Sequence, residues 1–553
     1  LSRNLSRREL IVRGALGGAA LALPLPEALA AVRRRTPRDS VHCLPASDQF
    51  RPTEIFPDCT FASFSPNRAR VALATPRGIE ILNRDDDTRV VVTPPGFTLG
   101  AHAWHPDGEV LIASGPAADG SGRHLHAVTG SAVTRLLPDH PGQARAACFS
   151  PDGRRVAFTY LNRFQHQLCM AEWNGAALVD PVNLFPVDPA SGGGVQRVMD
   201  SLAWHETRCF SPDGSRLYFA SDRGGGMLNV SVQYVELATA KSRRVTYDEG
   251  VVEGAALAPE GGVLYAVTTR AREPGFMSVA SGPTVPPFLG FVAEPTLHQQ
   301  LAERRLATIG NGDVIAMDPE YGLRARVVGG RKPLTKKLNA PVPGGSYRLA
   351  VCSMSADGQD LAVAMTSALG SNVVVLHRAA RDVPPATSVG ATPAPKGAAR
   401  LSTQPLGPVD RTIESPRGGR VVLKLDGNLA QGTFSVGFEN FSADGVHVFA
   451  GSATFATAGG GFRHTADVRR VGLESQEEVN VFYRADMQVA WDSGPANPGQ
   501  AGTTGTLRSV SRAGDLLASW DGSIFAPQDG WQAGDRGPRP VPGTRKCRRA
   551  QRG

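Results

Sequence analysis

Between residues 61 and 366 the chain carries a succession of short apolar runs separated by polar turns. The runs are Val71-Ala72-Leu73-Ala74, Val110-Leu111-Ile112-Ala113, Val156-Ala157-Phe158, Leu217-Tyr218-Phe219-Ala220, Val263-Leu264-Tyr265-Ala266, Val314-Ile315-Ala316 and Leu361-Ala362-Val363-Ala364. Runs this short, rich in branched residues and bounded by Gly, Pro and Asp, predict apolar strands. Further on the pattern changes to strict alternation. Positions 479, 481, 483, 485, 487, 489 and 491 are apolar, with mostly polar residues between them, which predicts one long strand with a single buried face. Similar strands are expected at 421–425, 433–438, 446–455, 506–511 and 516–520.

Each early apolar run follows the same turn phrase. Phe64-Ser65-Pro66-Asn67, Trp104-His105-Pro106-Asp107-Gly108, Phe149-Ser150-Pro151-Asp152-Gly153 and Phe210-Ser211-Pro212-Asp213-Gly214 are clear copies. Leu257-Ala258-Pro259-Glu260-Gly261, Gly310-Asn311-Gly312-Asp313 and Met354-Ser355-Ala356-Asp357-Gly358 are degenerate ones. Pro sets φ for the turn, Asp or Asn bonds back onto it, and Gly takes the left-handed position, as at Asp107 and Gly108, Asp152 and Gly153, Asp213 and Gly214, and Asp357 and Gly358. Successive markers lie 40, 45, 61, 47, 53 and 44 residues apart. A period of forty-odd residues built on hairpins is that of a four-stranded propeller blade. The fullest unit, 210–246, contains the turn and three following strands. Seven markers predict an all-β chain with a seven-bladed β-propeller over 41–382, the degenerate copies leaving six or eight open. The two long intervals are read as insertions, one around 183–194 and one containing a short helix over 295–303.

Ser-Pro-Asp-Gly followed by Arg216-Leu217-Tyr218-Phe219-Ala220-Ser221-Asp222-Arg223 resembles the repeat of TolB-like β-propellers, relatives of the Trp-Asp repeat. The resemblance implies a rigid disc that binds through its loops. The α/β domain that accompanies the blades in TolB has no counterpart among these residues, so its envelope partners are not carried over.

Residues 383–418 are rich in Pro, Ala, Thr and Gly and read as a linker. Beyond it, 419–527 is expected to form a small antiparallel β-sandwich or open barrel.

The formal charge of +8 suggests a nucleic-acid partner until it is located. Residues 1–31 hold +2 and residues 534–553 hold +6, so the body between them is neutral and nucleic-acid binding loses its support. The first of these segments reads as an export signal over 1–30. Arg7 and Arg8 precede a short apolar stretch, and Ala28 and Ala30 sit where a signal peptidase would cut. The paired arginines resemble the twin-arginine signal, which implies a periplasmic or secreted mature protein. No stretch is long enough to span a bilayer. The basic tail, 535–553, reads as a solvated, disordered segment.

The seven cysteines contain no Cys-x-x-Cys, which removes a zinc ribbon or a thioredoxin-like site. Cys43 with Cys59 is the expected disulfide, and Cys148 and Cys209, each just before a turn phrase, are expected as core thiols. No Gly-x-Ser-x-Gly, phosphate-binding Gly-rich loop or His-Glu-x-x-His occurs. His102, His124 and His126 are the weak candidates for a metal site. Both histidine pairs around them fall in one repeat unit, whereas an axial metal draws ligands from several. The sequence therefore predicts no cofactor, no metal and no catalytic residue. The leading reading is a non-enzymatic propeller binding a protein or cell-envelope polymer through its loop face. Two alternatives stand beside it: a propeller-type lyase or hydrolase acting on extracellular polysaccharide or peptide, and ligand binding by the C-terminal β domain.

Overall fold

Six small antiparallel sheets follow one another along the chain, and a larger sheet comes after them. The computed structural model describes residues 43–533 with breaks, the longest being 187–202, 269–312, 335–347, 379–388 and 491–501. The export signal (Arg7, Arg8, Ala28 and Ala30), the helix expected over 295–303 and the basic tail lie outside the described residues.

Blade 1 runs Phe61–Phe64, Arg70–Thr75, Gly78–Asn83 and Arg89–Val91, each strand pairing with the next. Blade 2 repeats this from Ala103–Trp104, blade 3 from Gln143–Phe149 and blade 4 from His205–Phe210. Blade 5 has three described strands, Ala255–Leu257, Leu264–Thr268 and Asp313–Met317. Blade 6 combines Arg348–Met354, Asp360–Ser367 and Gly370–Arg378 with the much earlier Phe50–Pro57, which pairs with Gly370–Arg378 as its outer strand. The first strand of each blade neighbours the first strand of the next, and that of blade 6 lies beside that of blade 1. The ring is thus closed by the Phe50–Pro57 strand, which forms the outer edge of blade 6.

The all-β propeller expected from the repeat forms, and the described residues make six blades, one of the counts left open beside seven. The strand after the phrase Gly310-Asn311-Gly312-Asp313 does not open a blade. Asp313–Met317 pairs with Leu264–Thr268 as the third strand of blade 5, so the 269–312 segment is an insertion between two strands of one sheet. A turn followed by an apolar run looks the same in sequence wherever it falls in a blade.

The hydrophobic core lies between blades. Six clusters of buried side chains fill the six seams; that between blades 6 and 1, for example, contains Phe56, Phe64, Val71, Leu73, Val373 and Val375. Runs buried on both faces follow directly, because each middle strand packs against a sheet on either side.

The turn phrase works as a small hydrogen-bonded unit. In blade 3, Ser150 Oγ donates to Asp152 Oδ1 (2.6 Å) and accepts from Arg155 N (2.9 Å), while Gly153 N donates to Ser150 O (2.9 Å). Ser211 with Asp213 (2.5 Å) and Ser355 with Asp357 (2.7 Å) repeat the hydroxyl–carboxylate bond. In blade 2, His105 takes the serine's slot and its Nδ1 stands 2.8 Å from Asp107 Oδ1.

Residues 389–404 of the expected linker are not a free tether. Ala399–Arg400 adds a fifth strand to blade 3, pairing with Leu178–Asn183, and the residues before it lie along the blade 3–blade 4 seam. After it comes a nine-stranded sheet from Val409–Glu414 to Gln532–Ala533, in which every neighbour in space is a neighbour in sequence. This is one continuous antiparallel meander. The strand expected at 479–491 is Glu478–Ala490, paired on both sides.

The pairing of Cys43 with Cys59 does not form. Cys59 is a free thiol, fully buried in the blade 6–blade 1 seam, with Sγ 3.2 Å from Phe61 O. Cys43 sits in a two-residue strand paired with Arg326–Val327.

Candidate functional site: two faces of the ring

Because the inner strands all run in one direction, the ring has two chemically different faces. The turn phrases gather on one, the hairpin face. The blade-to-blade connections and the loops between second and third strands gather on the other, the loop face.

On the hairpin face the turns interlock. Arg70 of blade 1 donates to Gly108 O (2.5 Å) and stacks over Trp104 of blade 2 at 5.0 Å. His105 of blade 2 meets Gly153 O of blade 3 at 3.2 Å. Pro212 of blade 4 lies against Gly261 of blade 5, and Arg378 of blade 6 pairs with Glu260 of blade 5 at 3.3 Å. Arg68 of blade 1 closes the circle on Asp357 and Asp360 of blade 6. At the blade 3–blade 4 seam Thr392, from the segment that follows the ring, bridges the turns instead. Asp152 accepts from it, and Gly214 of blade 4 abuts it.

The ring closure concentrates charge. The Asp360 side chain is 1 % exposed and takes bonds from Arg68 (2.5 Å), Arg84 (2.9 Å) and His377 Nδ1 (2.7 Å). Burial alone would raise its carboxyl, but the bonds from His377, Arg84 and Arg68 outweigh that and hold it below the ordinary carboxylate range. Arg84 also reaches Glu54 on the N-terminal closing strand.

Towards the loop face the buried polar groups include several histidines. His102 of blade 2 bonds through Nδ1 to Ser63 Oγ of blade 1 (2.7 Å) and meets the edge of Phe61. Burial pushes it down to about 3, so it is neutral at ordinary pH. His124 is buried, with Nδ1 3.4 Å from Arg135 Nη2, and His126 turns to its neighbour's carbonyl (3.0 Å) and to Phe97. The three sequence candidates therefore do not converge. Among the described residues no group of three His, Cys, Asp or Glu is placed to hold a metal ion.

Two histidines in successive blades carried no sequence signal. His166 of blade 3 bonds to the His205 backbone, and His205 of blade 4 sits between Phe185 and Phe219. Burial drives both down, His205 to about 3, and His205 Nδ1 has no hydrogen-bond partner. His166 lies between two glutamines and His205 precedes Glu206 without completing a His-Glu-x-x-His motif, and only the fold brings them together.

Along the inner strand of blade 4, Glu206 and Arg208 form an ion pair at 2.9 Å, and a bulge after Thr207 turns the strand. The five described free thiols are all raised by burial: Cys59, Cys209 and Cys352 to about 12, and Cys148 and Cys169 well above the usual thiol range. None of them is a ready thiolate nucleophile.

No family model matches the chain, and no curated protein matches it. Among solved structures, it is similar to a protein of Agrobacterium tumefaciens named as a TolB, at 14 % identity over 59 % of this chain and 97 % of that one, with a TM-score of 0.36. The TolB of Acinetobacter baumannii is similar at 15 % identity over 57 % of this chain and 63 % of that one, TM-score 0.32. Prolyl oligopeptidase B of Galerina marginata is similar at 10 % identity over 68 % of this chain and 46 % of that one, TM-score 0.35.

Proposed function

We propose that this chain is an exported, non-enzymatic propeller that binds a protein or a cell-envelope polymer on its loop face. The observation that carries the reading is the closure of the hairpin face. There the turns interlock around the ring, with Thr392 bridging the one seam where they do not meet directly. The opposite face bears the connections whose lengths differ from blade to blade, and loops on a rigid scaffold are where recognition is built. The arginine pair at Arg7 and Arg8 supports work outside the cytoplasm, and no described helix is long and apolar enough to cross a membrane.

A lyase or hydrolase is the second reading, and the Ser63–His102 pair is the one observation in its favour. Both residues are buried, the bond uses Nδ1, and a histidine held near 3 is a poor general base at neutral pH. Binding is the better-supported role.

The test is binding of the purified protein to envelope polymer and to extracted envelope proteins, comparing two charge reversals. Asp139→Lys alters an exposed residue of the loop face, and Lys241→Glu one of the hairpin face. Binding that falls with the first and survives the second is expected. The opposite pattern, or turnover of a peptide or polysaccharide lost on His102→Gln, would overturn the reading.

A further inference from the structure

The segment following the ring crosses the hairpin face as irregular chain with a turn at Lys396 and Gly397 (φ +72), and its contacts are those of a bound peptide. Thr392 donates from its N–H to Asp152 Oδ2 (2.8 Å) and from its hydroxyl to Asp152 Oδ1 (3.2 Å), and Arg155 donates to Thr392 O (2.9 Å). Lys396 N then donates to Leu237 O of blade 4 (2.8 Å). Ala399 and Arg400 pair with Asn183 and Val182, Leu401 N donates to Pro181 O (2.7 Å), and Asn162 Nδ2 donates to Gln404 O (3.2 Å). Two apolar residues anchor it: Ala398 against the blade 3–blade 4 cluster, and Leu401, 3 % exposed, in the blade 2–blade 3 cluster. Main-chain bonds supply hold and side-chain pockets supply selectivity, which is the logic of strand addition to a sheet edge.

The seat is complete without its occupant. Blade 3 already has four strands of its own, as blades 1, 2 and 4 do. The Asp152 turn keeps its bonds from Ser150 Oγ and Arg154 N irrespective of Thr392. Gly214, which has no Cβ, leaves the notch: a Cβ there would lie 2.5 Å from Thr392 Oγ1. At the occupant's end, Pro393 and Pro395 have no N–H to give, so few ladder bonds hold its middle.

We propose that the hairpin-face seam of blades 3 and 4, continued along the outer strand of blade 3, is a peptide-docking groove, with residues 391–401 as its intramolecular ligand. The groove fits a segment with a Thr-Pro at the Asp152 end, a Lys-Gly turn, two strand-pairing residues and a leucine nine positions after the threonine. The ligand leaves as a unit while blade 3 stays folded.

The test uses the full chain carrying Thr392→Gly and Leu401→Ser, which alter the ligand and spare the groove. Hydrogen exchange should quicken by about tenfold or more at 396–401, with Arg155–Asn162 exchanging as in the wild type. A labelled peptide of residues 389–404 should bind this variant saturably and the wild type hardly at all. Loss of protection throughout blade 3, or failure of the peptide to bind the variant, would overturn the proposal. If the double variant does not fold, Thr392→Val alone gives the same readout at smaller amplitude.

Discussion

The Asp152 carboxylate accepts both the N–H and the hydroxyl of Thr392, a residue 240 positions further along the chain. One turn carboxylate thus serves its own hairpin and fastens a distant segment across a blade seam. The neighbouring turn glycine tests how tightly that seat is built.

Gly214 has φ +70 and no room for a Cβ, whereas Gly108 has φ +82 and its nearest would-be neighbours at 3.5 Å. Both Gly→Ala changes place alanine in the left-handed region, at a cost of about 1–3 kcal/mol. Gly214→Ala must also push Thr392 aside, so urea denaturation should show the greater loss for it. Equal losses would mean that Thr392 yields freely.

The ring closure should be acid-sensitive through Asp360. Its carboxyl is held below the unfolded value of about 3.9, so its contribution is present above that pH. It is lost as pH falls through the lower folded value. Asp360→Asn leaves Arg68 and Arg84 without their buried charge partner and should cost about 3–5 kcal/mol at pH 7. The gap between variant and wild type should shrink below about pH 4. A gap independent of pH, measured by urea unfolding across pH 2.5–7, would rule the latch out.

His205 predicts a different window. Folded, it titrates at about 3; unfolded, near 6.5. The wild type therefore loses stability as pH drops from about 6.5, by up to about 1.4 kcal/mol per unit for this one residue. His205→Phe, set among Phe185 and Phe219, removes that penalty and should gain on the wild type steadily between pH 6.5 and 4. A proton NMR titration placing His205 above pH 6 would contradict this.

Cys59 should be silent in the native protein. Fully buried and raised to about 12, it is expected to resist iodoacetamide until denaturant is added, and to appear as an unlinked peptide in a non-reducing digest. A Cys43–Cys59 cross-linked peptide would refute this arrangement.

The repeated turn phrase made the blade unit legible because it is local chemistry. Ser, Asp and Gly within four positions satisfy one another's hydrogen bonds, so the same letters recur wherever the hairpin does. The alternation at 479–491 made the long strand legible for a similar reason, since period two is imposed by the pleat itself. The blade count was harder to read. Asp313–Met317 carries the letters of an opening hairpin yet completes blade 5, because a strand's place in a sheet depends on its partner.

The chain's own letters thus determined the hairpin unit, its rough period, the all-β class and the neutral body, all properties of neighbouring residues. Tertiary structure alone decided that six blades close, that residues 50–57 complete the last of them, and that the Pro-rich stretch lies bound along the hairpin face. It likewise decided that the histidines scatter into separate seams. These outcomes rest on contacts between residues hundreds of positions apart, such as Arg68 with Asp360 and Thr392 with Asp152. Such pairs leave no periodic trace in the sequence, because what joins them is the angle at which one sheet packs on the next.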